Sequence, residues 1–298
     1  MLFLILAIFS SAMVAIMMRL AQPRVSNSTG LLAANYIVCT LTALFLSIPE
    51  FPSVSLQTLG FPAGMGAING FIYLAGFALM QYNTRHNGVV LSSVFMKLGI
   101  LVSMVLSVVW FKEMPTAVQV IGFVLAVAAI LIINYEKGTT MGSNSWTLIL
   151  MLFTGGMGDT MSKVYDTYGD SGLQNLFLTV TFLSALILCL VMMAKKGEKL
   201  GLRELGFGVL LGIPNFLSSL FLLKALGVIP AVIAFPVFNV AVILVVTAAG
   251  LLLFRCFLLN GGFGLLFGWL YRKYGLRYAM IAHGGCHVVS KLIWILFV

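Results

Sequence analysis

Long apolar runs, each cut off by a short polar or glycine- and proline-bearing stretch, recur along nearly the whole chain. At about 17–25 residues they match a helix crossing a hydrocarbon core ~30 Å thick at ~1.5 Å per residue. The pattern predicts helices over 2–20, 31–48, 60–81, 88–111, 117–135, 146–165, 173–194, 204–226 and 231–254. Breaks such as Pro49-Glu50-Phe51-Pro52 and Lys195-Lys196-Gly197-Glu198 have room for little more than a turn. Past Arg255 the pattern changes. A run over 257–271 would be only ~23 Å long as a helix, leaving open whether it spans or re-enters. Arg272, Lys273, Gly275 and Arg277 follow it, then a last apolar run to Val298. Lipid supplies no hydrogen bonds to exposed backbone, so such segments must be helical. The expected fold is all-α: a polytopic integral membrane protein of about 10–11 transmembrane helices.

Composition sharpens this into an exclusion. Of 298 residues, 61% are hydrophobic and 8% charged, with a mean hydropathy of +1.11. A soluble chain carries roughly 25% charged residues, so a cytosolic enzyme, a secreted disulfide scaffold and a nucleic-acid binder are all ruled out. The net charge of +9 does not argue for a polyanion partner. Arg19, Arg24, Arg85, Lys137 and Arg255 stand singly at the ends of apolar runs, and the one cluster is Lys195, Lys196, Lys199 and Arg203. That is the distribution of cytoplasmic loops, not of a phosphate-binding stripe. Cys39, Cys189, Cys256 and Cys286 are widely separated and form no CxxC pair, so they read as small buried side chains. Residues 1–20 lack a basic start and a cleavage site and read as a first membrane helix.

An internal repeat organises the runs. Leu4-Ile5-Leu6-Ala7-Ile8-Phe9-Ser10 returns as Leu148-Ile149-Leu150-Met151-Leu152-Phe153-Thr154, which sets Arg19 on Lys163. Gly66-Ala67-Ile68-Asn69 matches Gly212-Ile213-Pro214-Asn215, and Phe111-Lys112-Glu113 faces Phe254-Arg255-Cys256. Three matches in order at a near-constant offset imply duplication. A five-helix unit repeated once must be inverted, because an odd number of crossings flips the second copy. Transporters with inverted repeats hold their substrate near the midplane, between the halves.

Over roughly residues 1–255 the sequence resembles the drug/metabolite transporter superfamily, of the EamA type. The likeness lies in the two five-helix halves, the short loops, Asn87-Gly88-Val89-Val90-Leu91-Ser92-Ser93, and Phe111-Lys112-Glu113-Met114-Pro115 after the fourth helix. In that family a second Phe-x-Glu closes helix nine and a tenth helix follows, whereas Cys256 stands here at the glutamate position. Residues 257–298 instead resemble the C-terminal end of CPBP (CAAX-type) intramembrane proteases, through Leu258-Leu259-Asn260-Gly261-Gly262, Phe267–Leu276 and Ala279-Met280-Ile281-Ala282-His283. That family's adjacent glutamates and its Phe-x-x-x-His motif are missing; only His283 and His287 correspond to its last motif. The resemblances imply three parts: an EamA-like five-helix repeat over 1–137, a truncated second repeat over 146–255, and a protease-like remnant over 256–298. No catalysis follows from them, since the glutamate base is absent.

Ionisable side chains inside a membrane are functional suspects because each costs several kcal/mol unless paired or hydrated. Lys97, in the fourth helix, suits an anionic or zwitterionic substrate, and Asp159, midway along the sixth, a proton or cation. A Lys97–Asp159 ion pair, or a Lys97 stem snorkelling to the interface, is the structural alternative. Asn69 and Asn215 sit beside small-xxx-small patterns, Gly66/Gly70 and Gly208/Gly212, where an amide can bridge close helices or meet a substrate. Asn239 follows Pro236, which frees backbone carbonyls near a cavity, and Tyr73 is a candidate of the same kind. Arg85 and His86 read as solvated helix-end residues. His283 and His287, one turn apart, lack a third ligand and are not expected to hold a metal. Glycines at 262, 264 and 268 read as helix packing, and no cofactor is expected.

Together these features predict a secondary transporter that moves a small polar or amphiphilic metabolite by alternating access. Its setting is the lipid bilayer, as a multi-pass protein of the bacterial plasma membrane, with coupling to a proton or cation and no nucleic-acid partner. A homodimer is compatible with this plan. An inactive CPBP-type protease relative and a non-functional fusion product are the competing readings. Orientation stays open: nine Lys and Arg follow the odd-numbered helices against three after the even-numbered ones, which points the N-terminus outward, whereas the family resemblance implies a cytoplasmic N-terminus.

Overall fold

The computed structural model describes residues 1–21, 24–53, 55–87, 89–133 and 145–253. Their regular structure is helical: α1 (Leu2–Ala21), α2 (Ser28–Ser47), α3 (Leu56–His86), α4 (Val89–Leu98), α5 (Ile100–Val109), α6 (Ala117–Ile133), α7 (Ser145–Tyr168), α8 (Gln174–Lys196), α9 (Leu202–Leu226) and α10 (Ala231–Leu253). Six spans among these are long and apolar enough to cross a membrane. The fold is all-α and polytopic, as expected. The tail beyond 253, with its two histidines and the anticipated 257–271 run, lies outside the described residues.

Local chemistry sets the ends. Asn27 caps α2, its side chain accepting from the Gly30 N–H at 2.8 Å. Ser55 and Thr58 form a reciprocal capping box that starts α3 ahead of the expected residue 60. Gly197, at φ 64°, takes the left-handed turn that ends α8. The anticipated helix over 88–111 comes as two pieces, α4 and α5, broken at Gly99. Gly99 keeps right-handed helical angles, φ −50° and ψ −26°, and α7 presses against it: a Cβ on Gly99 would lie 2.7 Å from the Gly156 backbone nitrogen, and the Ser103 hydroxyl donates to Gly156 O at 2.9 Å.

The chain divides into two compact units, residues 1–243 and 244–298. In the first, α2 packs on α8 and α9, α3 on α8 and α7, and α1 on α9. Both α4 and α5 lie against α7, and α6 against α4. Glycines make the tightest crossings. Gly66 and Gly70 press α3 onto α8, where a Cβ on Gly66 would stand 2.8 Å from Phe177 O. Gly208 and Gly212 do the same for α9 on α2, where a Cβ on Gly208 would stand 2.9 Å from the Asn35 nitrogen. An aromatic spine runs through the middle, with Phe182 centred 6.4 Å from Tyr36 and 6.3 Å from Phe216. Exposed side chains are also apolar, as with Val118, Ile121, Val124 and Leu125 on α6. That outer face suits lipid and would be a liability in water. The second unit is described over 244–253 only, which is helical.

Cys39 and Cys189 are buried free thiols, donating to Gly212 O at 3.2 Å and Thr29 O at 3.3 Å; Cys256 and Cys286 lie outside the described residues. Arg19, Lys163 and Lys224 fall within α1, α7 and α9, so none of them is a loop charge for the orientation rule.

Candidate functional site

Asp159 sits near the centre of α7. Exposed Trp146 and Tyr168 bracket the helix, and such aromatics favour the two membrane interfaces. Asp159 lies two residues from the midpoint between them. The Asn239 amide of α10 reaches it while also donating to Phe235 O at 3.1 Å. Gly158 makes room for the Tyr73 ring, since a Cβ there would meet Tyr73 Cε1 at 3.2 Å. The Tyr73 hydroxyl in turn faces Ser219 on α9 and Asn69 one turn earlier on α3, with the Asp159 carboxyl nearby.

Asn215 extends the cluster onto α2. Its amide donates to Asn35 Oδ1 at 3.3 Å and lies 3.7 Å from Cys39 Sγ. Asn69 is different: it is 0% exposed, and neither side-chain polar atom makes a hydrogen bond among the described residues. A buried amide left unmet costs about 1–3 kcal/mol. By contrast Asp159, Tyr73, Asn215, Ser219 and Asn239 each keep partial access. The cluster is therefore a group of partly accessible polar side chains inside the bundle.

Five of the six residues singled out from the sequence thus meet: Asn69, Tyr73, Asp159, Asn215 and Asn239. Lys97 stands apart. It is half-buried on α4, no hydrogen bond or ion pair links it to the cluster, and the alternative of a Lys97–Asp159 ion pair is not realised. Gly99 and Gly156 bring the backbones of α4 and α7 into contact nearby. Sequence reading missed Asn35, Cys39 and Ser219. Asn35 and Cys39 are one turn apart on α2, a spacing that could have flagged a polar stripe.

A second group lies one turn along α7 from Asp159. Lys163 pairs with Glu113 at 3.3 Å and with Asp166 at 3.3 Å, and its ammonium sits 5.9 Å from the centre of the Phe111 ring. The other Glu113 oxygen accepts the Val232 N–H at 2.9 Å, in the first turn of α10. Lys112 takes the left-handed conformation, φ 55°, uncommon outside glycine. Glu50 does comparable work elsewhere, accepting from the Asn175 and Leu176 N–H groups at 3.1 and 2.9 Å at the start of α8.

Comparison with known proteins agrees with this architecture. An uncharacterized protein of Haemophilus influenzae is 23% identical over 263 residues, covering 85% of this chain and 89% of the relative. A protein of known crystal structure shares the fold at a TM-score of 0.64 and 13% identity, covering 100% of this chain and 98% of its own; at that identity the likeness speaks for the fold alone. Residues 1–135 match the EamA-like transporter family. By that match the first half of the chain is similar to the EamA-like transporters.

Proposed function

We propose that the chain is a secondary transporter that carries a small polar or amphiphilic metabolite by alternating access, with the cluster around Asp159 as its central pocket. The observation that supports this most is convergence. Residues far apart in sequence, on α3, α7, α9 and α10, turn polar side chains toward one point at mid-depth, where lipid offers them no compensation. Asp159 is the group that takes up a proton or cation, Asn215, Asn239 and Asn69 are the amides that orient the solute, and Tyr73 is the wall between α3 and α7. Lys97 stays outside this pocket.

The packing pattern supports two inverted repeats, over 1–137 and 146–255. With α1 matched to α7, α2 to α8 and α3 to α9, the α2–α9 contact answers α8–α3, the α1–α9 contact answers α7–α3, and α2–α8 is its own counterpart. Such pairing is what a twofold axis in the membrane plane produces.

The test begins with a thermal-shift screen of purified protein against a metabolite panel, followed by counterflow in proteoliposomes for every stabilising solute. Asp159→Asn and Asn215→Ala should abolish or strongly reduce counterflow. If both variants exchange solute as the parent does, the pocket is misplaced. If Asp159→Asn leaves pH-gradient-driven uptake unchanged, its coupling role is wrong.

A further inference from the structure

The chain's acidic residues are nearly all spent on structure. Seven of its eight lie among the described residues: Glu50, Glu113, Asp159, Asp166, Asp170, Glu198 and Glu204. Glu50 and Glu113 cap α8 and α10. Asp166 holds Lys163, Glu198 pairs with Lys196 at 3.9 Å, Asp170 accepts the Gly172 N–H at 2.8 Å, and Glu204 accepts the Asn27 N–H at 3.4 Å. Among these seven only Asp159 has neither a cation nor a helix terminus, and no Lys, Arg or His nitrogen among the described residues comes within 4 Å of it. Lys163 is one turn away but already committed to two other carboxylates.

From this imbalance we infer that the missing cation is the substrate: the pocket takes a small organic ammonium, held by Asp159 and laid against the Tyr73 ring. The inference rests on the transporter reading above and narrows its solute class. An ammonium donates charge-assisted hydrogen bonds to the carboxylate, roughly twice as strong as neutral ones. The ring fitted over Gly158 adds a π-face beside that charge. The unmet Asn69 amide and the partly accessible Asn215 and Ser219 side chains accept or donate to a polar group further along the molecule. A carboxylate or phosphate solute finds no counter-charge here among the described residues, and a neutral polyol leaves Asp159 uncompensated. A coupling proton would compete with the ammonium for the same oxygens, which is the logic of exchange.

The full chain in nanodiscs would be titrated calorimetrically with three probes of similar skeleton: 2-phenylethylamine, 2-phenylethanol and 3-phenylpropanoate. The amine is expected to bind at least about tenfold tighter than the alcohol, and the carboxylate weakest. Asp159→Asn should cost the amine about tenfold or more while leaving the alcohol within about twofold, a ratio that each 1.4 kcal/mol of differential interaction sets. A carboxylate preference, an unchanged amine affinity in Asp159→Asn, or no binding of the three overturns the inference. In parallel, Asp159→Cys in proteoliposomes would be treated with a membrane-impermeant methanethiosulfonate. Labelling above the parent level without amine selectivity sinks the ammonium inference and spares the transporter pocket. No labelling from either side sinks both.

Discussion

Replacing Glu113 separates two jobs carried by one carboxylate. One oxygen receives the Val232 N–H at 2.9 Å and the other the Lys163 ammonium at 3.3 Å. Capping a helix N-terminus is worth about 0.5–2 kcal/mol. The ion pair is intermediate, with side chains 16% and 12% exposed, between a surface pair worth about 0–1 kcal/mol and a buried one whose breakage costs about 3–5. Because Asp166 still holds Lys163 after the change, the lower part of that range applies, about 1 kcal/mol. Glu113→Ala should therefore destabilise by about 1.5–3 kcal/mol, and Glu113→Gln, whose amide oxygen still accepts from Val232, by about 1. Equilibrium unfolding in mixed micelles reads both, and a double-mutant cycle with Lys163→Met should return a coupling of about 1 kcal/mol. A loss under about 0.5 kcal/mol for Glu113→Ala, or equal losses for the two variants, refutes the reasoning.

Glycine spacing gives a paired test inside α9. Gly212→Ala, pressed on α2, should cost about 1–3 kcal/mol of thermal stability, whereas Gly206→Ala, with nothing within 4 Å of its Cβ, should gain about 0.5–1. Lys97→Met removes a half-buried charge without a partner in the cluster, so it should stabilise the protein in a thermal melt and leave counterflow intact; lost counterflow would return Lys97 to the pocket. Asn35→Ala and Asn215→Ala should couple by about 0.6 kcal/mol in an unfolding cycle, and simple additivity would show that their hydrogen bond contributes nothing. Gly158→Ala crowds the Tyr73 ring and should weaken solute binding about three- to tenfold at a cost under about 1 kcal/mol in stability; unaltered binding would free Tyr73 from the site.

The helices were legible because their signal is dense: each crossing repeats one apolar instruction some twenty times. Their ends were less so. Residues 82–86 continue α3 despite their polarity, since helix–helix contact there, such as the Asn83 amide bonding to Thr147 O at 3.1 Å, depends on a partner 64 positions away. The break at Gly99 was invisible for the same reason, because an isolated glycine in an apolar run looks the same whether or not another backbone presses on it. Asp159 stood out because a carboxylate at mid-membrane is costly by itself. Asn35 and Ser219 did not, being small polar groups that helices tolerate anywhere. Glu113 stood in a recognisable motif, yet its job appears only when Lys163 and Val232, 50 and 119 residues further on, come to meet it.

The interruption between α4 and α5 deserves a mechanical reading. Ten residues of helix measure about 15 Å, so each piece reaches only half-way through the hydrocarbon, and their joint falls where α7 brings Gly156 and, three residues later, Asp159. Gly99 keeps right-handed helical angles, φ −50° and ψ −26°, so the joint hardly turns the chain, and a side chain at that position would push on the α7 backbone beside the carboxylate.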